Sequence, residues 1–215
     1  MADPSQKMAD MVIEGDVDGV VQMTHEMLAG QIPPQQILDQ GLLPGMDVVG
    51  QMFKSGEMFI PEVLMAARAM TGAMAILKPL LTATEAHGAG TVVIGTVEGD
   101  IHNIGKDMVG MMLEGAGFTV INLGVDVKPA AFVKAVGDNQ ADIVAMSALL
   151  TTTMPKMQAT IEALREAGFR ERVRIMAGGA PVSADFVRTI GADAYAPDAA
   201  RAVEKARGLM ASASH

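Results

Sequence analysis

The stretch "TVVIGTVEGDIHNIGKDMVG", residues 91–110, decides the fold of this chain. It begins with an unbroken apolar run, continues as a polar loop that contains glycine, and resumes as apolar residues at helical spacing. A strand that is buried on both faces of a parallel sheet has this continuous apolar character, because neither face meets water. The stretch therefore predicts a buried strand, a loop and a crossover helix.

The same alternation of strand and helix continues to the end of the chain. Further apolar runs are followed by helical patterns, with strands predicted at 91–97, 118–124, 142–149, 172–179 and 192–196, and helices at 104–115, 129–136, 155–167, 183–190 and 199–209. Crossovers of this length make consecutive strands parallel. We predict an α/β fold, a flavodoxin/Rossmann-like doubly wound sheet of five parallel strands in the order 2-1-3-4-5.

The first part of the chain has apolar residues at helical spacing and no alternating strand pattern. It predicts a bundle of four or five helices, over 5–14, 17–29, 34–42, 44–54 and 61–81. The small and polar segment at 82–90 is typical of a linker between domains. We therefore expect an N-terminal helical domain over residues 1–88 and an α/β domain over 89–215.

The composition excludes several classes of function. The chain of 215 residues has no cysteine and a net charge of −9, which excludes thiolate chemistry and argues against nucleic-acid partners. Its acidic surface is interpreted as a solvated face, with a docking face for a basic partner as the alternative. The apolar stretch 59–81 contains Glu62, Arg68 and Lys78, and the N-terminus does not resemble a signal peptide. We expect a cytoplasmic protein with no membrane partner.

Polar residues follow the predicted strands 1 and 3, between which ligands bind in such a sheet. Asp100 and His102 are two residues apart, so in an extended segment their side chains can lie side by side. A carboxylate that accepts the Nδ1 hydrogen leaves Nε2 free to bind a metal or a proton. One histidine is too few for a closed zinc or iron site. It could serve as a single axial ligand to a metal that a macrocycle already holds.

The neighbouring loops supply glycines and hydroxyl groups at the same edge of the predicted sheet. Glycine permits close approach of the backbone, and the serine and threonine hydroxyls can bind a polar ligand or Asp100. The glycines are Gly99, Gly105, Gly178 and Gly179, and the hydroxyl residues are Ser147, Thr151, Thr152 and Thr153.

Three motifs in order carry a resemblance to a known family. They are Asp100-x-His102-x-x-Gly105, Ser147-x-Leu149 and Gly178-Gly179. With them the chain resembles the cobalamin-binding corrinoid proteins of methyl-transfer systems and the corresponding module of cobalamin-dependent methionine synthase. The segment "GMDVVGQMFKSGEMFIPEVLMAARAM", residues 45–70, looks like the helical cap of that family, so the resemblance covers about residues 5–210.

The resemblance implies cobalamin or a related corrinoid as the cofactor, in its methylcobalamin and cob(I)alamin forms. It implies that His102 is the lower axial ligand of cobalt, that Asp100 is hydrogen-bonded behind it, and that Ser147 or Thr153 extends this relay. Phe53 and Ile60 of the cap would cover the upper face of the corrin ring. The other residues that the resemblance places around the cofactor are Gly99, Ile101, Asn103, Ile104, Gly105, Leu149, Thr151, Gly178, Gly179, Tyr195 and Ala199.

The function that the resemblance implies is that of a methyl carrier, which is not catalytic alone. Its partners would be a substrate-specific methyltransferase, a second methyltransferase that uses tetrahydrofolate or coenzyme M, and a reductive activase. Two alternatives share the α/β motifs. The small subunit of an adenosylcobalamin-dependent mutase usually lacks the helical cap, and a cobalamin-sensing regulator would need a DNA-binding domain before the cap.

Overall fold

The computed structural model describes residues 3–81 and 89–212, which form two compact units that separate near residue 88. We refer to residues 3–81 as the helical unit and to residues 89–212 as the α/β unit. The predicted linker lies largely in 82–88, outside the described residues, and so do His87 and His215.

The helical unit contains five α-helices within its described residues. They are α1 (Pro4–Glu14), α2 (Val17–Ala29), α3 (Pro34–Ile37), α4 (Leu43–Ser55) and α5 (Ile60–Leu77), with a π-helical turn at Leu38–Leu42 and a 3-10 turn at Lys78–Leu80. The predicted helix over 34–42 is therefore α3 and the π-helical turn together. Buried methionines, among them Met8, Met27 and Met70, fill the interior of this unit.

Acidic side chains accept backbone N–H groups at the start of three of these helices, where such groups have no partner within the helix. Asp3 Oδ1 accepts a hydrogen bond from the N–H of Ser5 at 3.1 Å at the start of α1. Asp16 Oδ1 accepts a hydrogen bond from the N–H of Gly19 at 3.0 Å at the start of α2. At the start of α5, the N–H of Phe59 donates to Glu62 Oε2 at 2.8 Å. The first helix ends at Gly15, whose φ of 70° is accessible to glycine at little cost.

One segment of the described chain, Ile60–Leu80, is long and apolar enough to cross a membrane by length and composition. Of its most apolar window, 39% is buried inside the protein, and the core helix of a soluble protein passes the same test. The absence of a membrane-spanning segment and the cytoplasmic location therefore stay predictions.

The α/β unit alternates strands and helices as the sequence predicts. Its strands are β1 (Thr91–Thr96), β2 (Thr119–Asn122), β3 (Ile143–Ser147), β4 (Arg174–Gly178) and β5 (Ala194–Tyr195), and its helices are α6 (Ile104–Gly115), α7 (Pro129–Asn139), α8 (Pro155–Glu166), α9 (Ala184–Thr189) and α10 (Ala199–Ser212). The strands are one to three residues shorter than predicted, and α7 and α10 each extend three residues further.

The sheet has five parallel strands in the order β2-β1-β3-β4-β5, which confirms the predicted fold class and strand order. In the register between β1 and β3, Thr96 lies opposite Ser147, so both strands end at the same level. Every residue of β1 is buried, and Phe132, Met157 and Leu164 pack in the core cluster beside the sheet. The loops that follow β1 and β3 are therefore neighbours at one edge.

Candidate functional site

The loop after β1 places the Asp100 carboxylate against the His102 imidazole. His102 Nδ1 lies 2.7 Å from Asp100 Oδ1, and the same oxygen accepts the backbone N–H of His102 at 3.1 Å. The Asp100 side chain is fully buried, whereas the His102 side chain is 47% exposed. A buried carboxylate beside Nδ1 favours the tautomer with the proton on Nδ1. The lone pair of Nε2 is then directed away from Asp100 and can bind a metal or a proton.

The other Asp100 oxygen binds the loop that follows β3. Asp100 Oδ2 accepts hydrogen bonds from Thr153 Oγ1 at 2.9 Å and from the backbone N–H groups of Leu149 at 2.7 Å and Leu150 at 3.3 Å. Burial by itself raises the pKa of Asp100, but the hydrogen bonds from Leu149, His102 and Thr153 outweigh it and hold the pKa well below its usual range. Asp100 is therefore an anion that joins the two loops.

The hydroxyl beside Asp100 belongs to Thr153 rather than to Ser147 in the hydrogen bonds of the described residues. Ser147 ends β3, and its side chain lines the adjacent cavity. Of the two residues that the resemblance offered for the relay, the geometry thus supports Thr153. Thr151 and Thr152 are exposed in the turn between β3 and α8.

Thr96, the last residue of β1, makes a hydrogen bond to the main chain of His102. Its side chain is fully buried, and Oγ1 donates to the backbone carbonyl of His102 at 2.8 Å. This role was not predicted from the sequence. A polar residue at the end of an otherwise apolar buried strand was the available signal, because a buried hydroxyl needs a partner.

A second polar cluster lies at the start of α6. The Lys106 side chain is 1% exposed, pairs with the Asp107 carboxylate, and donates from Nζ to Asn122 Oδ1 at 2.7 Å. Asn122 Nδ2 in turn donates to Asp107 Oδ1 at 3.0 Å. Burial raises the pKa of Asp107, but the hydrogen bonds from Lys106 and Asn122 lower it by more, so that it lies below its ordinary value. The cluster joins the first turn of α6 to the end of β2, and it was not predicted from the sequence.

A cavity of about 570 Å³ opens beside His102 within the α/β unit. Apolar side chains of β1, β3, β4 and α6 line its interior, including Ile94, Met108, Met146 and Met176. The predicted cofactor-binding residues that line it are Ile101, His102, Asn103, Ile104, Gly105, Ser147, Leu149, Gly178, Gly179 and Ala199. A cavity of this size and character fits a flat aromatic or heterocyclic group.

Besides Asp100, four of the predicted residues of this unit lie outside the cavity lining. Gly99 and Thr153 lie behind the histidine loop, where a Cβ at Gly99 would be 3.5 Å from Thr153 Cγ2. Thr151 is exposed, and Tyr195 ends β5 and packs against the core of the α/β unit. These four do not form the cavity wall, and their contribution to cofactor binding stays a prediction.

The remaining two predicted residues belong to the helical unit. Phe53 lies near the end of α4 and is half-buried, and Ile60 is the first residue of α5 and is 45% exposed. Their predicted position over the upper face of a corrin ring stays a prediction.

The glycines at the site serve two different purposes. A Cβ at Gly105 would have no neighbouring atom within 4 Å, so this glycine leaves open space at the cavity. A Cβ at Gly179 would lie 1.9 Å from the carbonyl oxygen of Ala148, and one at Gly178 would lie 2.4 Å from that of Ala196. The chain's own packing therefore already requires glycine at 178 and 179, whereas Gly105 leaves room for a ligand.

The donor set at this edge suits a metal that is held mainly by another group. Within residues 3–81 and 89–212, no three His, Cys, Asp or Glu side chains cluster so that they could hold a metal ion. His102 offers a single nitrogen with a fixed ring orientation. One axial bond to a macrocycle-bound metal needs no more than this.

Comparison with known proteins agrees with this geometry. Two family models, each described as a B12 binding domain, match residues 5–78 and residues 90–204. The chain belongs to the family of cobalamin-binding corrinoid proteins. These models confirm the predicted corrinoid cofactor, and the relatives described next confirm the predicted family and the methyl-carrying role.

Relatives of this corrinoid protein match it over nearly its whole length. The dimethylamine corrinoid protein 1 of Methanosarcina acetivorans is 44% identical, over 96% of this chain and 97% of that protein. The trimethylamine corrinoid protein 1 of the same organism is 43% identical, over 95% of each chain. In the solved methanol:cobalamin methyltransferase complex MtaBC from Methanosarcina barkeri, a chain is similar with a TM-score of 0.85 and 33% identity, over 95% of this chain and 78% of that one.

The residues of this corrinoid protein fit the cofactor. The free Nε2 of His102, the open space at Gly105 and the apolar cavity together offer one axial nitrogen and one slot for an aromatic tail.

Proposed function

We propose that this corrinoid protein carries methyl groups from a methylamine, with His102 as the lower axial ligand of its cobalt. The observation that carries the proposal is the imidazole of His102, which is oriented by a buried carboxylate and presents one free nitrogen beside an apolar cavity. The bound corrinoid supplies a cobalt centre that takes up and releases a methyl group.

The residues of the chain have separate parts in this proposal. Asp100 holds the ring of His102 in one orientation, and Thr153 keeps Asp100 anionic by donating a hydrogen bond to it. Ser147 and Leu149, together with Gly105, would enclose the nucleotide tail of the cofactor in the cavity. Phe53 and Ile60 would exclude water from the opposite face of the corrin ring.

The donor and partners are inferred from the relatives. The two relatives that are 43–44% identical are named for dimethylamine and trimethylamine, whereas the chain in the methanol complex is 33% identical. We therefore assign a methylamine-specific methyltransferase as the first partner. A second methyltransferase that uses tetrahydrofolate or coenzyme M would remove the methyl group, and a reductive activase would restore the cofactor. All of these proteins would meet in the cytoplasm, and neither nucleic acid nor a membrane would be a partner.

The carrier is favoured over a mutase subunit or a regulator because both parts of the chain match the relatives. The B12-binding models cover 5–78 as well as 90–204, and the relatives are matched over 95–97% of their length. We assign residues 1–88 as the helical cap domain and 89–215 as the cobalamin-binding domain on the same grounds.

The axial ligand is tested by electron paramagnetic resonance of the protein loaded with cobalamin in its cobalt(II) state. Protein labelled with ¹⁵N-histidine should show a nitrogen splitting characteristic of ¹⁵N, because the ligand is then a histidine and not the unlabelled base of the cofactor. His102→Ala should abolish that splitting. His25→Ala, which changes an exposed histidine of α2, is the matched control and should retain it. A labelled His102→Ala protein with the wild-type splitting would refute the assignment.

The donor is tested separately with the reduced, loaded protein. Methylation of the cofactor, followed by its visible spectrum, should occur with a purified dimethylamine or trimethylamine methyltransferase and its amine. Methylation only with a methanol-specific enzyme and methanol would overturn the methylamine assignment and leave the axial ligand unaffected.

A further inference from the structure

Asp126, in the loop between β2 and α7, has a backbone conformation that is uncommon for a residue with a side chain. Its φ is 53°, in the left-handed region, which aspartate enters more readily than most residues but still at a cost. Such a conformation persists only where surrounding contacts stabilise it. At Asp126 these contacts are hydrogen bonds to the loop that carries His102.

Asp126 makes two hydrogen bonds with consecutive residues of that loop, in opposite directions. Asp126 Oδ1 accepts the backbone N–H of Gly99 at 2.7 Å, and the N–H of Asp126 donates to the carbonyl of Asp100 at 2.9 Å. Gly99, whose N–H makes the first of these bonds, has a φ of 83°, in the left-handed region that glycine adopts readily. The carboxylate of Asp126 accepts the N–H of Gly99, and the backbone N–H of Asp126 holds the carbonyl of Asp100, the next residue in the loop.

The hydrogen bonds of Asp126 continue a ladder that joins the end of β1 to the loop after β2. The N–H of Val127 donates to the carbonyl of Thr96 at 2.9 Å, and Val127 forms a parallel bridge with Val97. Beyond this bridge, the N–H of Asp100 donates to the carbonyl of Val97 at 3.1 Å, and the carbonyl of Asp100 accepts the N–H of Asp126. The main chain at Asp100 thus depends on Asp126 for one of its two backbone hydrogen bonds.

The position of the Asp100 main chain decides where its carboxylate lies. That carboxylate orients the His102 ring at 2.7 Å, and a shift of a few tenths of an ångström lengthens or breaks this bond. We propose that Asp126 is a positioning residue that keeps His102 aligned for cobalt by holding the Gly99–Asp100 backbone. Asp126 does not line the cavity and touches neither His102 nor the ligand space in the described contacts. The inference rests on the proposed role of His102.

Three substitutions separate the carboxylate of Asp126 from its backbone conformation. Asp126→Asn keeps an oxygen acceptor and tolerates the left-handed region, Asp126→Gly keeps only the conformation, and Asp126→Ala keeps neither. Gln140→Ala is the matched control, because Gln140 is also exposed and has a φ of 49° but caps the end of α7 away from the site. It carries the same kind of backbone strain without a hydrogen bond to the loop.

The readout is the fraction of loaded protein in which ¹⁵N-histidine ligates cobalt, measured by electron paramagnetic resonance at full cofactor occupancy. The ratio of ligated to unligated protein should fall about tenfold in Asp126→Ala and in Asp126→Gly, which corresponds to one lost charge-assisted hydrogen bond. It should stay close to wild type in Asp126→Asn and in Gln140→Ala. In the cofactor-free protein, hydrogen exchange of the Gly99 amide should accelerate in the same two variants.

The outcomes distinguish the two proposals. If wild-type protein shows no histidine ligation, the proposed role of His102 fails. If wild type shows it and Asp126→Ala and Asp126→Gly match wild type at equal occupancy, the positioning role of Asp126 is overturned. If Gln140→Ala loses ligation as strongly as Asp126→Ala, the effect is one of general stability, and the positioning role is again overturned.

Discussion

The carboxylate of Asp100 lies 2.7 Å from His102 Nδ1 with one oxygen and binds the loop after β3 with the other. Every hydrogen bond that it makes is accepted, as an ionised carboxylate requires. The buried carboxylate of Asp100 therefore stays anionic because these donors compensate for the burial of its charge.

Asp100→Asn should misalign His102 although its shape is nearly unchanged. One end of the amide is a donor, so it would face either the imidazole Nδ1–H or the N–H of Leu149 with the wrong polarity. We expect the free energy of unfolding to fall by about 2 kcal/mol, because a buried donor is left without its acceptor. Urea unfolding of the cofactor-free protein measures this. An unchanged midpoint, together with an unchanged histidine ligation signal in the loaded protein, would contradict the assigned role of Asp100.

The hydroxyl of Thr153 can be removed almost without a change of volume. Thr153→Val should lower the free energy of unfolding by about 1–2 kcal/mol, because Asp100 Oδ2 then loses a buried hydrogen-bond donor. Thr153→Ser keeps the hydroxyl and should lose less. Ser147→Ala, which changes the other candidate for the relay, should leave Asp100 unaffected. If Ser147→Ala were the more destabilising change in urea unfolding, the assignment of the relay to Thr153 would be wrong.

Gly105 and Gly179 should respond in opposite ways to substitution by alanine. Gly105→Ala meets no atom within 4 Å and lies in α6, so the cofactor-free protein should be as stable as wild type or more so by about 0.5–1 kcal/mol. The added methyl group enters the space beside the cavity and should weaken retention of cobalamin on gel filtration. A Gly105→Ala protein that retains cobalamin as wild type does would place the cofactor elsewhere.

Gly179→Ala should instead strongly destabilise the folded protein. Its Cβ would lie 1.9 Å from the Ala148 carbonyl oxygen, at a φ of 125° that side chains rarely adopt. We expect a loss of more than about 3 kcal/mol in the free energy of unfolding, since the backbone itself must move. The thermal unfolding temperature of the cofactor-free variant, compared with that of Gly105→Ala, measures the difference between the two glycines.

The cluster of Lys106, Asp107 and Asn122 predicts a dependence of stability on pH. Because the pKa of Asp107 in the folded protein lies below its ordinary value of 3.8, its carboxylate stabilises the fold above that pH. The contribution is lost as the pH falls through the folded pKa. The difference in unfolding free energy between wild type and Asp107→Asn should therefore be level between about pH 5 and 7 and narrow below about pH 4.

The comparison with Asp107→Asn isolates this group, since all other titrating groups are common to both proteins. Denaturant unfolding at several pH values checks it. If the difference in unfolding free energy widened as the pH fell, the pKa of Asp107 in the folded protein would be higher than its contacts with Lys106 and Asn122 require.

Much of the fold was predictable from the sequence because its apolar patterns are long and regular. The buried run 91–97 and the helix over 104–115 are of this kind, and the structure places them within a residue or two. The π-helical turn at Leu38–Leu42 was not predicted, because its cause is the local insertion of one residue in the hydrogen-bond pattern and not a change of apolar spacing.

The site was predictable where two functional residues are neighbours in sequence. Asp100 and His102 are two positions apart, and their pairing follows from the geometry of an extended chain. Thr96, Lys106 and Asp126 were missed because their partners come from other segments or from the backbone. That the carbonyl groups of Ala196 and Ala148 also require glycine at 178 and 179 is visible only in the folded chain.

The division of the Asp100 hydrogen bonds between two loops limits how this site can be transplanted. The segment from β1 to α6 contains the whole Asp-x-His motif, yet three of the donors to Asp100 lie about fifty positions further along the chain. Grafting residues 97–110 alone onto another parallel sheet would bury a carboxylate with three of its five hydrogen-bond donors absent. The smallest portable unit is both loops on adjacent strands in this register.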